Sequence, residues 1–65
     1  MMSKAIKIKE IETSKFSVFL EQDEDHKFVI RYKRSTMENY AYLSFTDLNF
    51  ANKIFDDTLI SLEGH

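Results

Sequence analysis

Along the first 45 positions, apolar and polar residues alternate with a period of two, and after that the apolar spacing changes to three and four. Ile6 and Ile8 alternate with Lys7 and Lys9, which predicts a strand over residues 5–11. The alternation slips at Glu10-Ile11, the mark of a bulge or a strand end. Phe16, Val18 and Leu20 predict a second strand over 15–21, and Phe28, Ile30 and Tyr32 a third over 27–34. Ala41, Leu43 and Phe45 predict a fourth over 40–45. Gln22-Asp23-Glu24-Asp25-His26 is the most polar stretch and reads as a hairpin loop, and Ser35-Thr36-Met37-Glu38-Asn39 as a second loop. With no proline and a single glycine, the turns must come from Asp, Asn and Ser, which bond to their own backbone.

The second and third strands constrain each other. Setting Val18 opposite Ile30 places Phe16 against Tyr32, Leu20 against Phe28, Phe19 against Val29 and Glu21 against Lys27. All are favourable cross-strand pairs, and a slip of one residue would set apolar against polar across the hairpin.

From Leu48 onward the pattern is helical. Leu48, Ala51, Phe55, Leu59 and Leu62 form a stripe, which Phe50 and Ile54 widen and from which Ile60 departs. Ser44-Phe45-Thr46-Asp47 fits a capping box with Thr46 as an alternative N-cap, and Gly64 suits a helix terminator, so a helix is expected over 46–63. The predicted fold class is α+β, one small domain over 1–65. In it an antiparallel β-meander of three to four strands packs on one C-terminal amphipathic helix.

One helix covers one face of such a sheet, so the other should be polar. Strand parity instead gives it Phe19, Val29, Tyr40 and Tyr42, interleaved with Lys7, Lys9, Arg31, Lys33, Ser17, Glu21 and Ser44. Aromatic residues and arginine are enriched where proteins meet. Phe19, Val29, Arg31, Lys33, Tyr40 and Tyr42 are therefore the candidate partner-binding residues. A nucleic-acid reading uses the same side chains, with rings stacking bases and cations holding phosphates. Lysine and arginine on an exposed strand also guard it against sticking to other sheets.

Composition narrows the classes. A chain of 65 residues leaves about 40 % of its unfolded surface exposed, and small domains commonly need a staple. Without cysteine, neither a disulfide nor a thiolate metal site can form, and with two histidines, one of them terminal, a structural metal is not expected. Dense aromatic packing, from six Phe and three Tyr, or an oligomer remains. A net charge of −2 argues against a bulk nucleic-acid binder. No apolar run approaches the length of a membrane span, and Lys4 and Lys7 break the N-terminal apolar stretch, so a cytoplasmic protein is expected. Asp23, Glu24, Asp25 and His26 lack the alternation and glycine of a calcium loop and read as a solvated turn. No nucleophile–base–acid set is evident, so no catalytic residue, cofactor, metal or small-molecule substrate is assigned.

From Phe28 to Gly64, the order strand, loop, strand ending in Leu43-Ser44-Phe45-Thr46-Asp47, then helix with Ala51 and Phe55, is loosely similar to sheet-plus-helix DNA-binding modules. The arm-binding domain of tyrosine recombinases is one example. The chain departs from those modules in lacking their glycine-rich turns and basic balance. The likeness implies DNA binding as the alternative function. The leading expectation is a non-enzymatic interaction protein that binds a protein partner or forms a homodimer through the open sheet face. Its size suits a small regulator or inhibitor of phage or mobile-element origin.

Overall fold

The computed structural model describes residues 5–64. It contains β1 (Ile6–Glu12), β2 (Phe16–Gln22), β3 (Phe28–Arg34), β4 (Ala41–Phe45) and α1 (Leu48–Glu63). The strands form one antiparallel sheet in the order β1-β2-β3-β4, and α1 lies across β2, β3 and β4. The fold is thus α+β, a four-stranded meander under one C-terminal helix. The core sits between the two layers, where Phe16, Val18, Leu20 and Ile30 of the sheet meet Ala51, Phe55 and Leu62 of the helix. Arg34, on the same sheet face, donates from Nη2 to the Ser61 carbonyl at 3.3 Å near the end of the helix.

The β2–β3 register differs from the expected one by two residues. Val18 pairs with Tyr32, Leu20 with Ile30, Phe16 with Arg34 and Phe19 with Arg31, while Glu21 faces Val29 rather than Lys27. A two-residue slip keeps every side chain on its own face, so the alternation is blind to it. The loop decides it instead. Asp23 and Lys27 close the hairpin through Asp23 N–H to Lys27 O at 2.9 Å, leaving a three-residue tip, Glu24 to His26. The Asp23 carboxylate accepts from Asp25 N–H at 2.9 Å and Lys27 N–H at 3.0 Å, and His26 takes the left-handed conformation, φ 63°. A turn followed by a left-handed residue is a standard three-residue hairpin, with histidine here in the place glycine usually fills.

The bulge in β1 lies between Lys7 and Lys9, earlier than the slip at Glu10-Ile11 suggests, and the strand runs on to Glu12. Its effect is to bring Ile11, opposite Val18, onto the helix face with Ile6, opposite Gln22. Lys9 turns to that face too, opposite Leu20, and its Nζ stands 5.2 Å from the Phe55 ring centre. Lys9 therefore leaves the open face to which parity assigned it. Ile6 and Ile8, expected in the core, are exposed because α1 does not reach over β1.

Asp47, rather than Ser44 or Thr46, caps α1: its backbone is extended and its carboxylate accepts from Phe50 N–H at 3.0 Å. Gly64 ends the helix in a right-handed conformation, its N–H bonded to Ile60 O. Of the apolar stripe, Ala51, Phe55 and Leu62 are buried, while Leu48 and Phe50 at the N-terminal end stay substantially exposed.

Candidate partner-binding face

The register fixes the rows on the face away from the helix. One row runs Glu10, Phe19, Arg31, Tyr42 from β1 to β4. The row beside it runs Lys7, Glu21, Val29, Ser44, and on the other side Glu12, Ser17 and Lys33 are neighbours. Tyr40 immediately precedes β4.

Phe19 is the centre of this face and is only 6 % exposed. Side chains of its own chain bury it. The Arg31 guanidinium carbon stands 4.3 Å above its ring centre and 4.7 Å from that of Tyr40, so the cation is held between two rings. The Phe19 and Tyr40 rings are tilted at 52° with centres 6.1 Å apart, and Lys7 Nζ approaches Phe19 at 5.5 Å. Glu21 pins the arrangement, its Oε2 accepting from Arg31 Nη2 at 3.1 Å. That hydrogen bond is the chief cause holding the Arg31 guanidinium above its ordinary pKa; burial opposes it, and the charges of Glu21, Tyr40 and Tyr42 assist it. A cation stacked on aromatic rings and hydrogen-bonded to a carboxylate is fixed in place by its own chain.

The six candidate residues are thus not equivalent. Phe19, Arg31 and Tyr40 form one packed cluster. Val29 is partly buried in the neighbouring row, and Lys33 is partly buried with its Nζ 3.4 Å from the Arg34 carbonyl. Tyr42 projects, 65 % exposed. The cluster also depends on Glu21, which the expected register set against Lys27, and on Lys7, which the sequence reading placed on this face as one of its cations. The signal that relates Glu21 to Arg31 is diagonal: Arg31 lies two positions beyond Val29, the residue opposite Glu21.

The cations of this face are largely spent within the chain. Lys7 pairs with Glu10 at 3.1 Å, Arg31 pairs with Glu21, and Lys9 is on the other face. Of Lys7, Lys9, Arg31 and Lys33, only Lys33 both lies on this face and forms no ion pair among the described residues.

No helix among the described residues is long and apolar enough to cross a membrane. Comparison with family models, curated proteins and solved structures finds no match. The functional reading therefore rests on this geometry.

Proposed function

We propose that this chain is a non-enzymatic interaction protein that engages a protein surface through the open face of its sheet, the partner being a second copy or another protein. The observation that carries the reading is the row Phe19–Arg31–Tyr42: a projecting tyrosine beside an arginine already immobilised by Tyr40 and Glu21. Rigid aromatic and arginine anchors lose little side-chain freedom on binding, which is why they dominate interface energetics. Val29 and Lys33 flank the row and extend the contact. The small size suits a regulator or inhibitor.

Replacing Tyr42 with a photo-crosslinking phenylalanine analogue tests this in cells. A covalent adduct from position 42 and none from Asp56, on an exposed part of the helix, is the expected result. No adduct at 42, or equal adducts at both positions, overturns it.

DNA or RNA binding through the same face is the competing reading, favoured by the ring-stacked Arg31 and the free Lys33. The internal ion pairing of Lys7 and Arg31 weighs against it, because phosphate binding draws on unpaired cations. Titrating short duplex and single-stranded DNA across a salt series discriminates the two. No binding at low salt removes this reading, and binding that weakens steeply with salt establishes it.

A further inference from the structure

The two edges of the sheet are built differently. β1 carries four charged residues in seven, Lys7, Lys9, Glu10 and Glu12, and a bulge. These features keep an edge from pairing with other strands. β4 has none of them. Its five residues, Ala41-Tyr42-Leu43-Ser44-Phe45, are uncharged, its pairing with β3 is regular, and no charge occurs from Asn39 to Thr46. No charge, proline or bulge guards this edge, and such a segment attracts another strand.

We infer that β4 pairs antiparallel with β4 of a second copy about a two-fold axis through Leu43. This goes beyond the reading of the open face, which a β4–β4 pairing leaves uncovered, and it names a second copy as the partner of the sheet edge. Three observations point to a second copy. First, the strand is complementary to itself in size. With Leu43 on the axis, Ala41 meets the partner's Phe45 and Tyr42 meets the partner's Ser44, so a large side chain opposes a small one in each pair. The register also respects the alternation of antiparallel pairs, because residues of like parity share a face. Second, the half-exposed Phe50 packs edge-on against Phe45, ring centres 5.4 Å apart, and Ala41 is the smallest residue a partner could place beneath that pair. Third, the arrangement closes. A two-fold interface consumes both unguarded edges and leaves an eight-stranded sheet whose outer edges are the two guarded β1 strands. The open face then carries Tyr42 and Arg31 of each copy on either side of the axis.

Sedimentation equilibrium of the full chain tests this, with two variants chosen to leave the core alone. The wild type is expected to dimerise reversibly. Ser44→Lys places a charge on the edge at an exposed position and should weaken the dimer by about tenfold or more, with an unchanged circular dichroism spectrum. Lys53→Ala, at an exposed position of α1, should leave it unchanged. Because the chain has no cysteine, Leu43→Cys should form a covalent dimer on mild oxidation, since paired Cα atoms across the axis fall about 4.5–5.5 Å apart, whereas Ser17→Cys should not. A chain that remains monomeric at about 1 mM overturns the inference and leaves the photo-crosslinking test of the open face standing. A dimer that survives Ser44→Lys but is lost in Tyr42→Ala and Lys33→Ala also overturns it, because the copies then meet face to face, as the broader reading allows.

Discussion

Phe19→Ala separates a contact residue from a structural one. Parity puts Phe19 on the open face, where an aromatic ring suggests a partner. The structure gives it 6 % exposure beneath Arg31, Lys7 and Tyr40, so most of its surface is removed from water by its own chain. Truncating a buried phenylalanine costs about 3–5 kcal/mol, more where the cavity cannot collapse. The covering side chains here are long and surface-anchored and can settle into the space, which puts Phe19→Ala at the low end, about 3 kcal/mol. A chain of 65 residues has roughly 3–10 kcal/mol of stability in all, at about 0.05–0.15 kcal/mol per residue. The variant should therefore lose about 30 % or more of that, and unfold outright if the wild type lies at the lower limit. Tyr42→Ala, two strands away in the same row but 65 % exposed, should change stability by less than about 0.5 kcal/mol. Urea titration followed by far-ultraviolet circular dichroism reads both, at protein concentrations low enough that self-association does not contribute. If Phe19→Ala falls within about 0.5 kcal/mol of the wild type, or if the two variants are equally destabilised, Phe19 is not a second core and the reasoning fails.

Two further outcomes follow from local geometry. His26→Gly should raise stability by up to about 1 kcal/mol, since the left-handed conformation at φ 63° costs histidine about 1–2 kcal/mol and glycine little, less the extra freedom glycine has when unfolded; a lower urea midpoint would contradict this. Asp47→Ala removes the carboxylate that accepts from Phe50 N–H and should cost about 1 kcal/mol, whereas Thr46→Ala should be nearly neutral, and the reverse order would restore Thr46 as the cap.

Why the sequence reveals some of this and conceals the rest follows from symmetry. Alternation with period two identifies which residues share a face, and it does so correctly for β2, β3 and β4. It is unchanged by a slip of two, so it cannot tell Leu20 opposite Ile30 from Leu20 opposite Phe28. The loop could have told them apart, but its left-handed residue is histidine, and the glycine that announces such a turn is absent. In β1 the change from Ile6 to Ile11 is odd in number, which does announce a bulge. The extra residue can be absorbed at several positions, and only the pairing locates it between Lys7 and Lys9. That placement moved Lys9 from one face to the other. The site suffered more than the fold for the same reason: Glu21 opposite Lys27 looks like an ion pair complete in itself, and the true register frees Glu21 for Arg31.

The sheet's second face looked uncovered because faces are usually counted in whole layers, and this one is covered by side chains. Arg31 and Lys7 lay their length over Phe19 and keep their charges at Glu21 and Glu10, a use of long cationic stems that supplies apolar cover without a second helix. The cover is local. It reaches Phe19 and Tyr40, stops short of Tyr42, and leaves the edge of β4 bare. The accessible surface, 4737 Å², exceeds the roughly 4300 Å² expected of a compact protein of this mass, and the principal extents, 35 × 27 × 14 Å, are those of a slab. A slab of two layers has more perimeter than a sphere, and in this chain the perimeter is guarded at β1 and unguarded at β4. The association proposed above should therefore begin at β4 and Tyr42, with the cluster around Phe19 as a rigid backing behind them.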